Sequence, residues 1–178
     1  PKVGQAITEH PDIPMISFTG GTVTGKHIAS IAAPMFKKLS LELGGKNPNI
    51  IFADCDFDKM LTTTIRSSFA NQGQICLCGS RIFVERPIYE KFKTAFVEKV
   101  SRMKVGNPAD GTTKMGAIVS QSHMEKVLSY VDLAQAEGGT VLTGGKQAII
   151  AGECANGWFI HPAVIEGLSY DCRTNQEE

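Results

Sequence analysis

Two short runs hold the groups with the most chemistry. Ala70-Asn71-Gln72-Gly73-Gln74-Ile75-Cys76-Leu77-Cys78 sets a thiol in polar, glycine-bearing surroundings, and Glu42-Leu43-Gly44-Gly45-Lys46 sets a carboxylate just before paired glycines. A thiolate nucleophile and a general base are the groups needed to oxidise or hydrolyse a carbonyl through a covalent thioester. A lone cysteine is more often a buried structural thiol, but the approach from Asn71 to Gln74 is too polar and kinked for a packed core. Glu42 lies between Leu41 and Leu43, so on a strand it faces away from both, towards solvent or a cleft. An exposed strand-end carboxylate is the plainer reading. A place at the carboxyl end of a strand in an α/β sheet, where clefts open, favours function.

The elements that must position these groups are readable from periodicity. Pro14 to Thr19 reads as a short buried strand closed by Gly20-Gly21. Thr22 or Thr24 is expected to cap a helix reaching about Ala33, where Pro34 stops it. Residues 38–43 alternate apolar and polar as a strand, which completes one βαβ unit of the kind that forms parallel sheets. Beyond Gly44-Gly45, a strand at 49–52 precedes a helix capped by Asp56 and expected to run to about Asn71. A strand at 81–85 leads to a helix with Pro87 in its first turn and apolar Ile88, Phe92, Ala95, Phe96 and Val100. A second amphipathic helix spans 122–137, and strands are expected at 141–142, 158–160 and 163–165, with Trp158 in the core. Gly44-Gly45 is the candidate domain boundary, dividing 1–43 from 44–178.

Other motifs compete for attention. Gly20-Gly21-Thr22-Val23-Thr24-Gly25-Lys26 matches a phosphate-loop pattern, but His27 stands where magnesium would need a hydroxyl. A strand-turn-helix touching a dinucleotide pyrophosphate is the better reading, with a plain tight turn as the alternative. Cys76 and Cys78 have no second Cys or His pair nearby, so no metal is expected. A cysteine protease or transferase would need a partner histidine, and the four histidines are scattered without a telling spacing. A carboxylate-assisted mechanism through Glu42 fits better.

Composition narrows the classes. The 178 residues carry no formal net charge, 42% hydrophobic and 20% charged side chains, and no basic run, so a nucleic-acid or anionic-membrane surface is not indicated. No apolar stretch approaches the roughly 20 residues of a membrane helix. Five cysteines form an odd set without a tight framework, which points to reduced thiols in a cytoplasmic enzyme. The chain starts without Met and stops at Glu178 without a recognisable terminal helix, so it reads as a possible fragment.

At these residues the chain resembles the aldehyde dehydrogenase superfamily. The likeness runs from Ile16-Ser17-Phe18-Thr19-Gly20 through Glu42-Leu43-Gly44-Gly45-Lys46-Asn47-Pro48 to Asn71-Gln72-Gly73-Gln74-Ile75-Cys76, then Lys104-Val105-Gly106-Asn107-Pro108 and Gly157-Trp158-Phe159-Ile160-His161-Pro162. The wording from Arg66 to Cys78 is most similar to the branch acting on 2-aminomuconic semialdehyde, also described as retinal dehydrogenases. The resemblance implies an α/β fold: the end of a Rossmann-like NAD-binding domain, then the first part of a parallel-sheet catalytic domain. It implies NAD(P)-dependent oxidation of a small-molecule aldehyde to an acid, in a homo-oligomer (dimer or tetramer) when full length. Cys76 would be the nucleophile and Glu42 the residue that activates the hydrolytic water. Gly20 and Gly21 would approach the cofactor pyrophosphate, Leu43 and Gly44 the nicotinamide, and Glu178 the nicotinamide ribose. Gly21 replaces a usual Ser, leaving only backbone contact there. The family's adenosine-binding strands and oxyanion Asn are not encoded, so the chain alone is expected to be inactive. Two alternatives remain: a non-catalytic protein reusing the fold, and a phosphate-loop nucleotide-binding protein.

Overall fold

A computed structural model describes residues 2–178, which divide into two compact units that part between Gly45 and Lys46. In the first unit, helix α1 (Lys2–Glu9) precedes β1 (Met15–Gly20), α2 (Thr22–Ala32) and β2 (Lys38–Leu43). The strands pair in parallel with Gly20 opposite Leu43 and Thr19 opposite Glu42, the βαβ unit expected from periodicity. Gly25, Ile28 and Ala32 form the buried stripe of α2, the three- and four-residue spacing that turns one helix face to a sheet. α1 has no counterpart among the expected elements. Lys37 caps it: the buried ammonium donates to the carbonyls of Thr8 (2.8 Å) and His10 (2.6 Å). A cation there satisfies helix-end carbonyls and meets the negative end of the dipole.

The second unit is built on β3 (Pro48–Ile51) and β4 (Arg81–Val84), paired in parallel, with α3 (Phe57–Phe69) and α4 (Tyr89–Ser101). Asp56 caps α3 by accepting from the Lys59 N–H at 3.2 Å. Ile51, Leu61, Phe92, Phe96 and Val100 form the main core, in which the Phe92 and Phe96 rings stack at 5.1 Å. Next come α5 (Gln121–Ala136), an antiparallel pair β5 (Thr140–Thr143) and β6 (Val164–Glu166), and the short α6 (Arg173–Gln176). Met124 of α5 joins Ile118 and Ile160 in a smaller cluster.

Several boundaries differ from expectation, each for a physical reason. Neither Thr22 nor Thr24 caps α2: Gly21 is the N-cap, in extended conformation, with no side-chain cap. α3 stops at Phe69 rather than Asn71 because Asn71 and Gln72 are left-handed. Residues 158–160 form no full strand: pairing is limited to one antiparallel bridge between Gln147 and Ile160, with Phe159 O accepting from Ala148 N–H (2.8 Å), while Trp158 O accepts from Ile118 N–H (2.6 Å). Trp158 itself is half-buried against the smaller cluster rather than in the core. No helix of the described residues is long and apolar enough to cross a membrane.

Candidate active-site elements in each unit

In the first unit, the parallel pairing brings Gly20, Glu42 and Leu43 to one edge, the carboxyl ends of both strands, with Gly21 and Gly44 next in the chain. Glu42 is exposed, while Leu39, Leu41 and Leu43 are half-buried on the opposite face. α2 begins one residue after β1 ends, so Thr22 to Lys26 are helical and no phosphate loop exists. Gly25 serves packing instead: a Cβ there would lie 2.6 Å from Leu43 Cδ2. A Cβ on Gly21 would meet nothing within 4 Å. The first turn of α2 is exposed and has no side-chain cap, and it follows directly on the end of β1, an arrangement that suits an anion.

In the second unit, Cys76 lies on the loop between α3 and β4, exposed, whereas Cys78 is buried with its thiol 3.9 Å from the Ala70 carbonyl. The loop is aimed by three consecutive left-handed residues: Asn71 (φ 48°), Gln72 (φ 58°) and Gly73 (φ 75°). Each non-glycine residue in that region costs about 1–2 kcal/mol, so other contacts must hold the turn. Gln74 supplies one, its N–H donating to Asn71 O (3.0 Å) and its side-chain oxygen accepting from Val119 N–H (3.1 Å). With its amide oriented to match its neighbours, oxygen towards Gly116, Gln72 accepts from the Gly116 N–H at 2.8 Å. From the other side, Asn47 donates its amide to the carbonyls of both Cys76 and Cys78, the latter at 3.2 Å. Asn47, Gln72 and Gln74 therefore tie the Cys76 loop to residues 29 before and 40 or more after Cys76. Their presence in a motif was visible in sequence; their partners were not.

Glu178, the last site residue expected, is exposed at the end of α6, and Lys126 Nζ donates to its backbone carbonyl at 2.7 Å. Lys46 lies near it. Burial, and then the neighbouring Arg81 guanidinium, push the Lys46 ammonium below its ordinary value, while Glu178 and Cys172 act oppositely. Arg81 is fixed by its Nε–H donating to Lys46 O at 2.8 Å. A cavity of about 410 Å³ lies between Phe92, Ile82 and Ile160, with Gln72 and Gln74 at its wall, but neither Cys76 nor Glu178 lines it. Among the described residues no cluster of His, Cys, Asp or Glu could hold a metal.

These features meet in one family. The chain belongs to the aldehyde dehydrogenase family, whose model matches residues 1–178. It is 49% identical over 180 residues to the 2-aminomuconic semialdehyde dehydrogenase of Danio rerio, covering 100% of this chain and 37% of that protein. A 2-aminomuconic 6-semialdehyde dehydrogenase from Pseudomonas sp. is 48% identical over 177 residues, covering 99% of this chain and 36% of that one. Among solved structures, betaine aldehyde dehydrogenase from Staphylococcus aureus in complex with NAD+ matches at a TM-score of 0.94 and 41% identity, over 99% of this chain and 35% of that one. The chain thus spans little more than a third of the relatives it matches.

Proposed function

We propose that this chain carries the nucleophile and general base of an NAD-dependent aldehyde dehydrogenase. The observation that carries the reading is Cys76: an exposed thiol on a loop held from three sides, in a chain of this family. The Cys76 thiolate attacks the aldehyde carbon, forming a C–S bond and a thiohemiacetal whose oxyanion takes a hydrogen bond from the Cys76 N–H. The thiohemiacetal carbon then loses its C–H bond as hydride, leaving a thioester; the acceptor for those two electrons is what a bound nicotinamide dinucleotide would supply. Glu42 then takes a proton from the water that cleaves the thioester, releasing the acid and restoring the thiol. Gly20, Gly21 and the open first turn of α2 would hold the pyrophosphate, Leu43 and Gly44 the nicotinamide, and Glu178 its ribose. NADP is an alternative cofactor. The first and second units would then be the end of the cofactor-binding domain and the start of the catalytic domain. The likeness to 2-aminomuconic semialdehyde dehydrogenases makes that aldehyde the first to assay. A cytoplasmic, homo-oligomeric enzyme agrees with the five free thiols and with the family; the 178 residues by themselves are expected to lack dehydrogenase turnover.

In the intact enzyme, Cys76→Ser abolishes both aldehyde oxidation and hydrolysis of an activated ester. Glu42→Gln keeps the first-turnover burst of NADH and stalls the steady state. Full turnover in Cys76→Ser refutes the assignment of the nucleophile, and a normal steady state in Glu42→Gln refutes that of the base.

A further inference from the structure

We infer that one face of α5, presenting Lys126, Tyr130 and Glu137, is a strap that positions Glu178 for the cofactor; this rests on the reading of Glu178 given above. The segment from Arg173 to Glu178 has no buried residue, so no hydrophobic core holds it. α6 is only four residues long and its N-cap, Cys172, offers no side-chain cap, far short of what a helix needs to persist alone. Its order must come from polar contacts, and these converge on α5.

Glu137, at the C-terminal end of α5, caps α6 from 36 residues earlier: its carboxylate accepts from Arg173 N–H (2.9 Å), Thr174 N–H (3.1 Å) and Thr174 Oγ1–H (2.6 Å). The Thr174 hydroxyl, first among these donors, holds the Glu137 carboxyl below its ordinary value. Two helical turns before Glu137, Tyr130 donates its hydroxyl to Glu177, which Arg173 also grips with Nε and Nη2 at 2.8 and 2.9 Å. One turn before Tyr130, Lys126 reaches the Glu178 carbonyl. Residues spaced by four and seven share a helix face. Asn175 and Gln176 turn their amides back to Ser169 O (2.8 Å) and Tyr170 O (2.7 Å). Every side chain from Arg173 to Glu177 is therefore engaged within the unit. Glu178 alone lends its side chain to no hydrogen bond among the described residues; it is exposed, and Lys126 holds its carbonyl oxygen. A segment tied at each preceding side chain, with an exposed carboxylate next to it, is the arrangement a ligand-binding acid requires.

The test uses the intact enzyme, with Glu178→Gln as the reference for a lost ribose contact. Tyr130→Phe and Glu137→Ala are expected to raise KM for NAD+ roughly tenfold, since displacement of a positioned group by about 1 Å is felt strongly. Cofactor-independent ester hydrolysis by Cys76 stays within about twofold of the parent, which a general loss of structure would not allow. Tyr130→Phe combined with Glu177→Ala is no worse than Glu177→Ala alone, because the hydroxyl acts through that carboxylate. If Glu178→Gln raises KM while Tyr130→Phe and Glu137→Ala leave it unchanged, the strap is refuted and the reading of Glu178 stands. If Glu178→Gln itself leaves KM unchanged, the reading of Glu178 fails and the strap falls with it. Loss of ester hydrolysis in step with KM also overturns the proposal, as it marks a structural role.

Discussion

Asn47 offers the sharpest test of how the nucleophile loop is held. Its amide donates to two carbonyls, those of Cys76 and Cys78, which flank Leu77. In Asn47→Ala both bonds vanish, but their losses are unequal. The Cys76 carbonyl contact is exposed, so water replaces the donor, and the Cys78 carbonyl keeps the Ser80 N–H at 3.0 Å. The net cost in the intact enzyme is therefore that of about one ordinary hydrogen bond, ~1 kcal/mol, read as a small fall in Tm. If Cys76 acts as proposed, the catalytic cost is larger, because its N–H would have to stay aimed at the developing oxyanion; a fall of about tenfold or more in ester hydrolysis is expected. Asn47→Asp is worse than Ala on both measures, since it sets carboxylate oxygens against two carbonyl oxygens. Thermal denaturation and steady-state ester hydrolysis of the three proteins decide it. Ester turnover in Asn47→Ala within twofold of the parent, or an Asp variant as stable as the parent, refutes the clamp.

Two further outcomes follow from the same contacts. Lys37→Met leaves the carbonyls of Thr8 and His10 without their donor and is expected to destabilise the first unit by about 2–3 kcal/mol; urea denaturation that matches the parent excludes the capping role. Arg173, and then Tyr130, pull the Glu177 carboxyl down to about 2 from 4.5. Its folded value is depressed, so its contribution to docking α6 is fully present above about pH 4.5 and is lost as pH falls towards 2. Carboxylate NMR of Glu177 reads this directly, and a midpoint at the ordinary value rules out the Arg173 and Tyr130 contacts in solution.

Much of the local structure was legible in residue order because its causes are local. The alternation over 38–43, the Asp56 cap and the Phe92, Phe96, Val100 spacing each depend on neighbours within a turn or a pleat. Where expectation missed, the deciding partner was distant or absent. A threonine was expected to cap α2, yet Gly21 does so with no side chain at all. Residues 158–160 have strand-like composition, but their pairing stops at a single antiparallel bridge from Ile160 to Gln147, and Trp158 O turns to Ile118 N–H. The phosphate-loop pattern at 20–26 dissolves because α2 starts at Thr22, leaving Gly25 to pack on Leu43.

The same division runs through the site. Sequence alone determined which groups could react: a thiol at Cys76, a carboxylate at Glu42, and glycines at the strand ends, since reactivity belongs to side-chain type and motif. Only the tertiary structure decided that Cys76 is exposed and Cys78 buried, although both flank the same leucine. It also decided that Asn71 and Gln72 take left-handed conformations, and that Asn47, Gln72 and Gln74 stabilise them and the loop beyond. The reason is physical: a hydrogen bond between residues tens of positions apart leaves no periodicity in the chain, and exists only once the elements carrying its two ends have packed.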